Sequence, residues 1–374
     1  MLSITGMSGS DPKISATMDD IARETGLSKM TVSRALSNKG YVSERSRKLI
    51  LSAAKKFDYQ INMLARQLSS NRTYLLGVIT PFRGLLGTFY FGQVLQGVQQ
   101  ALSGTGYHVA LFDSQSEDFN DGTKCANLCR QRRVDGLIVV APGLDDQFPL
   151  TFANLQMPTV VVGSSFRQKT INYVDVDNFG AATAVTEYLV RLGHKKMGFL
   201  RGPADLRDAT QRELAFRKTL AAHDLPVVEK WILQGDYETR KAFHLALELL
   251  SKGNRPTAIF AANDLMAYGV LDAARMLKLN VPEDLSVAGF DDLEGSAEWV
   301  PSLTTAAQPM KQLGQVAASY LLDWMNRKGA SPSLHQKLSA KLVVRASTAA
   351  PPQRFRAADA GELAPDAQGH SRLN

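Results

Sequence analysis

The chain has 374 residues, 44% of them hydrophobic and 21% charged, with a formal net charge of +7; this composition fits a globular protein of two or three domains with sizeable cores. No uncharged apolar run approaches the ~18 residues of a membrane helix, and "MLSITGMSGSDPKIS" has no apolar segment of the kind a secretory leader needs, so the chain reads as cytoplasmic. Residues 1–75 hold 12 Lys/Arg against 6 Asp/Glu, a balance of +6, and the other 299 hold 31 against 30. A basic first fifth is the electrostatic footprint of a nucleic-acid-binding module.

Residues 1–15 carry no periodic pattern and are expected to be a disordered extension. In "TMDDIARETG", Thr17 is a candidate N-cap with Asp20 three residues on, a capping-box spacing. Gly26 ends that helix and Ser28 caps the next, which begins "KMTVSRALS". Ala22, Gly26 and Val32 supply a small contact, a positive-φ corner and a branched anchor, the pattern of a helix-turn-helix. Ser43 caps a third helix, "ERSRKLILSAAKKFDY", with Leu49, Ile50, Ala53, Ala54 and Phe57 on one expected apolar face. In such a corner the front of the second helix meets base edges in the major groove. Lys29, Met30 and Arg34 lie there: Arg34 can donate two hydrogen bonds to a guanine, and Met30 can touch a thymine methyl. The hydroxyls of Ser28, Thr31, Ser33 and Tyr41, with Thr17 at the preceding cap, suit backbone phosphates.

The short pattern "MLARQLSSNRT" then reads as a linker that is helical only when supported. From Tyr74 apolar strands alternate with amphipathic helices. Strands are expected at 75–80, 108–114, 135–141, 158–164, 196–202, 231–236, 257–264 and 285–292, with helices such as 90–103, 179–192, 211–222, 239–252 and 265–278 between them. That alternation means parallel sheets covered on both faces, in two α/β lobes that part near 170–178. Cys125 and Cys129, four apart on an expected helix, read as reduced packed thiols and not as a metal pair. The tail from Ala349 reads as disordered.

The quoted stretches "TMDDIARETGLSKMTVSRALSNKGYVSE", "ARQLSSNRT", "RRVDGLIV", "ANDLMAYGV" and "VPEDLSVAGFDD…PSLTT" resemble the lactose-repressor (LacI/GalR) family of bacterial transcription regulators, from residue 16 to 348. The resemblance implies an all-α helix-turn-helix domain at 16–60, a hinge helix at 61–73 and a two-lobed core like periplasmic binding proteins at 74–348. Its N-lobe takes about 74–175 and 306–332, its C-lobe about 176–305 and 333–348, and 349–374 forms the tail. It further implies a homodimer on a near-palindromic DNA operator, with Lys29, Met30 and Arg34 at base-reading positions. Leu68 matches the hinge leucine that wedges into the central minor-groove step, where an apolar side chain gains burial by unstacking bases.

For a small-molecule effector, Arg212, Asn263 and Asp291 match ligand-contacting positions of the family. Their chemistry suits a polyol: a guanidinium fork, an amide and a carboxylate. Tyr90, Phe91 and Tyr237 match aromatic positions of the cleft and can stack on a ring. A purine-responsive member carries Asp and Trp where this chain has Gly163 and Ser164, and its Arg-x-Thr spacing is missing from "ADLRDATQR". A sugar is therefore expected ahead of a nucleoside or purine corepressor. The reading is thus of a repressor of carbohydrate uptake or catabolism genes. A periplasmic-type sugar-binding protein is the rival from another class, but it has no use for the first 70 residues. No enzyme motif fits: "GTG" at 104–106 follows a helix and precedes a strand, and there is no G-x-S-x-G elbow, Walker loop or zinc pattern. No cofactor, metal or membrane partner is expected.

Overall fold

A computed structural model describes residues 16–37, 40–59, 70, 72–115, 119, 122–327 and 333–352. The expected extension at 1–15, the hinge leucine Leu68 and the tail beyond 352 lie outside the described residues. The chain divides into two units, before and after the junction of Arg72 and Thr73.

The first unit has three helices, α1 (Met18–Thr25), α2 (Lys29–Ser37) and α3 (Glu44–Lys56). Each start is set by a local cap. The Thr17 hydroxyl accepts from Asp20 N at 3.3 Å while the Asp20 carboxylate accepts from Thr17 N at 2.9 Å, completing the capping box. Ser28 Oγ accepts from Thr31 N at 3.1 Å, and Ser43 Oγ from Ser46 N at 3.2 Å. Gly26 turns the chain at φ 66°, a left-handed corner open to glycine at no steric cost. Ile21, Val32, Ala35, Val42, Ile50, Ala53 and Ala54 are buried together as one small core. Arg47 Nη1 donates to the carbonyl of Ala35 at 3.1 Å and so ties α3 to α2. Leu49, expected on the apolar face of α3, is 49% exposed instead. Residues advance about 100° per step around a helix, so the stripe through Ile50, Ala53 and Ala54 leaves its neighbour outside.

The second unit runs β1 (Leu75–Thr80), α4 (Phe82–Leu85), α5 (Phe89–Leu102), β2 (His108–Asp113), α6 (Thr123–Arg130), β3 (Gly136–Val140), α7 (Phe148–Asn154), β4 (Thr159–Val162) and β5 (Asn172–Val176). It continues through α8 (Asn178–Arg191), β6 (Met197–Arg201), α9 (Arg207–Ala222), β7 (Ile232–Gln234), α10 (Thr239–Leu250), β8 (Ala258–Ala261), α11 (Asp264–Met276) and β9 (Ser286–Asp291). Last come β10 (Thr304–Ala307), α12 (Met310–Asn326), β11 (His335–Leu338) and β12 (Lys341–Val343). One sheet has the order β11-β5-β4-β3-β1-β2, all parallel; the other has β12-β10-β9-β8-β6-β7, parallel except for β12. Val78 pairs with Ile138 in the first and Phe199 with Phe260 in the second, both rows fully buried. Most strands covered by helices on both faces are apolar, which is why they are so plain in the sequence.

The chain crosses between the lobes three times, at 176–178, 307–310 and 338–341. Two expected boundaries shift accordingly. His335–Leu338, expected in the second lobe, extends the first sheet beside β5. Residues 306 and 307, expected in the first lobe, end β10 in the second sheet. Both lobes can hold such short segments because the tenancy is decided by long-range pairing, not by local pattern. Cys125 is buried and Cys129 is partly exposed, and neither thiol is in a disulfide.

Candidate functional site

In the first unit, the inward side of α2 is Val32 and Ala35, 0% and 3% exposed. The opposite side carries Lys29, Met30 and Arg34, all exposed, with Met30 at 63%. Lys29 Nζ lies 2.8 Å from Asp19 Oδ2, an exposed ion pair that is easily exchanged for another anion. The Arg34 side chain runs past Gly40, its Cδ 3.6 Å from where a Cβ on that glycine would sit. Tyr41 is 92% exposed, a large aromatic ring left in water beside a basic helix. Ser28 Oγ and Thr31 Oγ1 share a hydrogen bond of 2.9 Å, and Ser33 is half-buried. Thr17 is otherwise engaged: its hydroxyl also donates to Asp20 Oδ2 at 2.7 Å, so both its roles are used in the cap.

The second unit gathers its charged residues around Arg212, which is 3% exposed on α9. Its Nε donates to Asn178 Oδ1 at 3.0 Å and its Nη1 to the carbonyl of Ala262 at 2.6 Å. Asp208 Oδ2, one turn back, is 3.4 Å from Nη2, and Asp291 Oδ1 is 3.8 Å from Nη1. The guanidinium carbon sits 3.8 Å from the centre of the Phe290 ring, a cation–π contact that fixes its plane. Tyr237 Oη donates to Asp208 Oδ2 at 2.8 Å. Asp291 stands at the carboxyl end of β9, where α/β sheets present residues to ligands. Its φ of 131°, with 57° at Asp292 and 62° at Tyr237, places three non-glycine residues in left-handed backbone, a strain that clusters at functional sites. A cavity of about 500 Å³ opens against Asp291, lined also by Phe89 and Gln93 from the first lobe, Gln308 from the crossing segment and the charged Lys311 and Asp292.

Burial pushes the Asp291 carboxyl up to about 8; Asp264 and Asp208 push the same way, while Arg212 and the Gln308 amide hold it down. Asp175, at the end of β5, is raised to about 6 by burial against the hydrogen bond from Val176 N. Both shifts mean that the folded chain holds protons the unfolded chain releases, so this contribution to stability falls as pH rises. The ligand-free protein is expected to lose thermal stability from pH 5 to 8.5. The part of the loss between about pH 6 and 8 belongs to Asp291, so Asp291→Asn should flatten it. Melting curves at half-unit pH steps check this, and an unchanged slope above pH 6 refutes the assignment.

The structure brings together Arg212, Asp291, Tyr237 and the half-buried Tyr90, whose hydroxyl is raised by burial and by Asp175 and Asp208. Two expected ligand contacts are used elsewhere. Phe91 is 2% exposed in the hydrophobic core, because it lies about 100° round α5 from Tyr90. Asn263 caps α11: its Oδ1 accepts from Met266 N at 2.9 Å. Asp264 is equally committed, accepting from Leu293 N, Ser296 Oγ and Thr305 Oγ1 at 2.6–2.9 Å. Residues that sequence reasoning missed are Asp175, Asn178, Asp208 and Gln308. Asp208 alone had a local signal, its i,i+4 spacing to Arg212.

Residues 17–62 match the family described as bacterial regulatory proteins, lacI family, and residues 186–348 match the periplasmic binding protein-like domain. The HTH-type transcriptional repressor PurR of Yersinia pestis (strain Pestoides F) is 31% identical over 342 residues, 91% of this chain and 98% of that protein. The lac repressor dimer bound to operator and the anti-inducer ONPF superposes with a TM-score of 0.79 at 30% identity, covering 90% of this chain and all of that one. The transcriptional regulator CelR in its cellobiose complex gives a TM-score of 0.67 at 26% identity, covering 89% and 99%. With a helix-turn-helix unit followed by a two-sheet core, and relatives matched along nearly their whole length, the chain belongs to the lacI family of bacterial regulatory proteins and is a DNA-binding transcriptional repressor, not an enzyme.

Proposed function

We propose that the protein binds a near-palindromic operator as a homodimer and that a sugar held between the core lobes sets its operator affinity. One observation carries the ligand half of this reading: the buried Arg212 gathers Asp208, Tyr237 and Asp291, and Asp291 in turn lines a cavity that residues of both lobes enclose. A carboxylate accepts from a sugar hydroxyl while a guanidinium donates to its neighbour, and an aromatic ring covers an apolar sugar face. The likeness to the cellobiose-bound regulator supports the same class. Likeness to PurR favours a second reading, a purine-type corepressor. Against it, a side chain at Gly163 would collide with Tyr90 Oη, so that position offers a purine neither an acid nor a ring. In this reading Tyr90, Arg212, Tyr237 and Asp291 face the ligand, while Asn263 and Phe91 support them as cap and core.

On the DNA side, Lys29, Met30 and Arg34 read bases, Ser28, Thr31, Ser33 and Tyr41 hold phosphates, and Leu68 wedges the operator centre. Arg34→Ala is expected to cost about 2 kcal/mol at one base pair and to relax the preference there. Binding to a set of single-base operator variants measures it; an equal loss on every sequence assigns Arg34 to the backbone. For the effector, operator binding by the full-length protein is followed by fluorescence anisotropy at fixed salt. Mono- and disaccharides are added in one series, hypoxanthine and guanine in another. A tenfold or larger change with a sugar supports the proposal, and a change with a purine alone replaces it with the second reading.

A further inference from the structure

The basic first unit places an acid among the cations expected to meet DNA. Asp19, in the first turn of α1, reaches across to α2, where its Oδ2 lies 2.8 Å from Lys29 Nζ; the two side chains are 58% and 61% exposed. The other acids of α1 are turned to different tasks. Asp20 closes the cap with Thr17 and lies 3.4 Å from Arg23, and Glu24 pairs with Lys56 of α3 at 2.7 Å. Stability does not account for the contact made by Asp19, because an exposed ion pair contributes little to folding. Affinity for DNA does not account for it either, since a carboxylate on that face is repelled by phosphates.

What the pair can do is fix where the lysine points. A lysine ammonium is a strongly hydrated point charge on a flexible four-carbon stem, and alone it takes whichever phosphate is nearest. It has three N–H donors. With one given to Asp19, two are left, and guanine presents two acceptors to the major groove, O6 and N7. Those acceptors carry no formal charge, so carboxylate, ammonium and base can share one site without a clash of anions. A phosphate that displaces Asp19 is instead left beside an anion tethered to α1, and part of its attraction to the lysine is cancelled.

We propose that Asp19 is a positioning residue for sequence readout: it directs Lys29 to a guanine in each half-site and keeps it from binding phosphates at random. The inference rests on the reading of Lys29 as a base contact and deepens it. Discrimination rises as raw affinity falls, because the wrong partner meets a repulsive group that the right one does not.

The test compares the full-length protein with Asp19→Asn, Lys29→Ala and the double variant. Each is titrated with duplexes that the full-length protein selects from a random pool and with one scrambled duplex, over a series of salt concentrations. In Asp19→Asn, binding to the scrambled duplex should tighten, and the slope of log K against log salt should steepen by about one per protomer as Lys29 meets a phosphate. The preference for guanine at one position of the half-site should relax about tenfold. Lys29→Ala should lose the same preference, and Asp19→Asn should add nothing to that loss in the double variant. Thr17 and Asp20 still cap α1, so the melting temperature should hardly move, which separates positioning from support of the fold. If Asp19→Asn leaves slope and preference unchanged, or weakens binding equally on every sequence, the inference is overturned; Lys29 stands as a base contact as long as its own variant loses the guanine. If Lys29→Ala leaves every base preference as it was, the reading of Lys29 falls and the inference falls with it. Where the pool yields no enriched sequence, the slope on the scrambled duplex decides alone, an unchanged value overturning the inference.

Discussion

Replacing Arg212 by alanine is expected to destabilise the core by about 3–5 kcal/mol and to abolish the effector response. The size follows from what remains. Asp208 and Asp291 lose the cation facing them, Asn178 Oδ1 and the Ala262 carbonyl lose their donor, and the Phe290 face is left against a void. A buried group stripped of its partner costs its full desolvation, more than the pair contributed when whole. The carboxyls should take up protons in response, so part of the loss is recovered at low pH and the deficit grows towards pH 8. Arg212→Met, which keeps the stem over Phe290, should recover some stability and none of the response. The three helices before Arg72 form their own core, so operator binding without ligand should survive in both variants. Denaturant unfolding and operator titration, run together, check this. Unchanged stability of the alanine variant would show that the cluster is not held by its guanidinium.

The second large effect is expected at Gly314. Helices α5 and α12 approach backbone to backbone: a Cβ on Gly314 would overlap the Val94 carbonyl, and one on Gly97 the Lys311 carbonyl. Carbonyls inside helices cannot swing away as a side-chain tip can. Gly314→Val should therefore force the helices apart, break the packing around Val94, Val98 and Leu313, and cost about 3 kcal/mol or more. Since α12 is the segment that returns to the first lobe after the crossing at 307–310, the same change should weaken effector binding without any contact to ligand. Equilibrium unfolding and ligand titration measure the two losses, and an unshifted midpoint would sink the argument.

What could be read from sequence was local or periodic. The caps at Thr17, Ser28 and Ser43 depend on residues three apart, and the corner at Gly26 on one φ angle. The outward set Lys29, Met30 and Arg34 follows from helical period once Val32 and Ala35 are taken as inward. The buried strands were legible because both of their faces are apolar. β5 and β10 were not: Thr304 and Thr305 open β10, and Asn172 and Asp175 interrupt β5, both buried and bonded, Asn172 Oδ1 accepting from Leu334 N at 2.9 Å and Asp175 Oδ1 from Val176 N at 2.8 Å.

By itself, then, the sequence determined the two-unit plan, the basic first domain, the exposed face of its second helix and the alternating α/β core. Those properties arise from neighbours within a turn of helix or a stretch of strand. Tertiary structure decided which side chains meet. Tyr90 turns to the cleft while Phe91 enters the core, Asn263 is taken by a helix end, and Asp208 joins Asp291, 83 positions away, on one guanidinium. Such choices follow from the packing of helices and the pairing of distant strands, and residue type carries no mark of them. The grouping of charged side chains around Arg212 is for that reason a property of the folded chain alone.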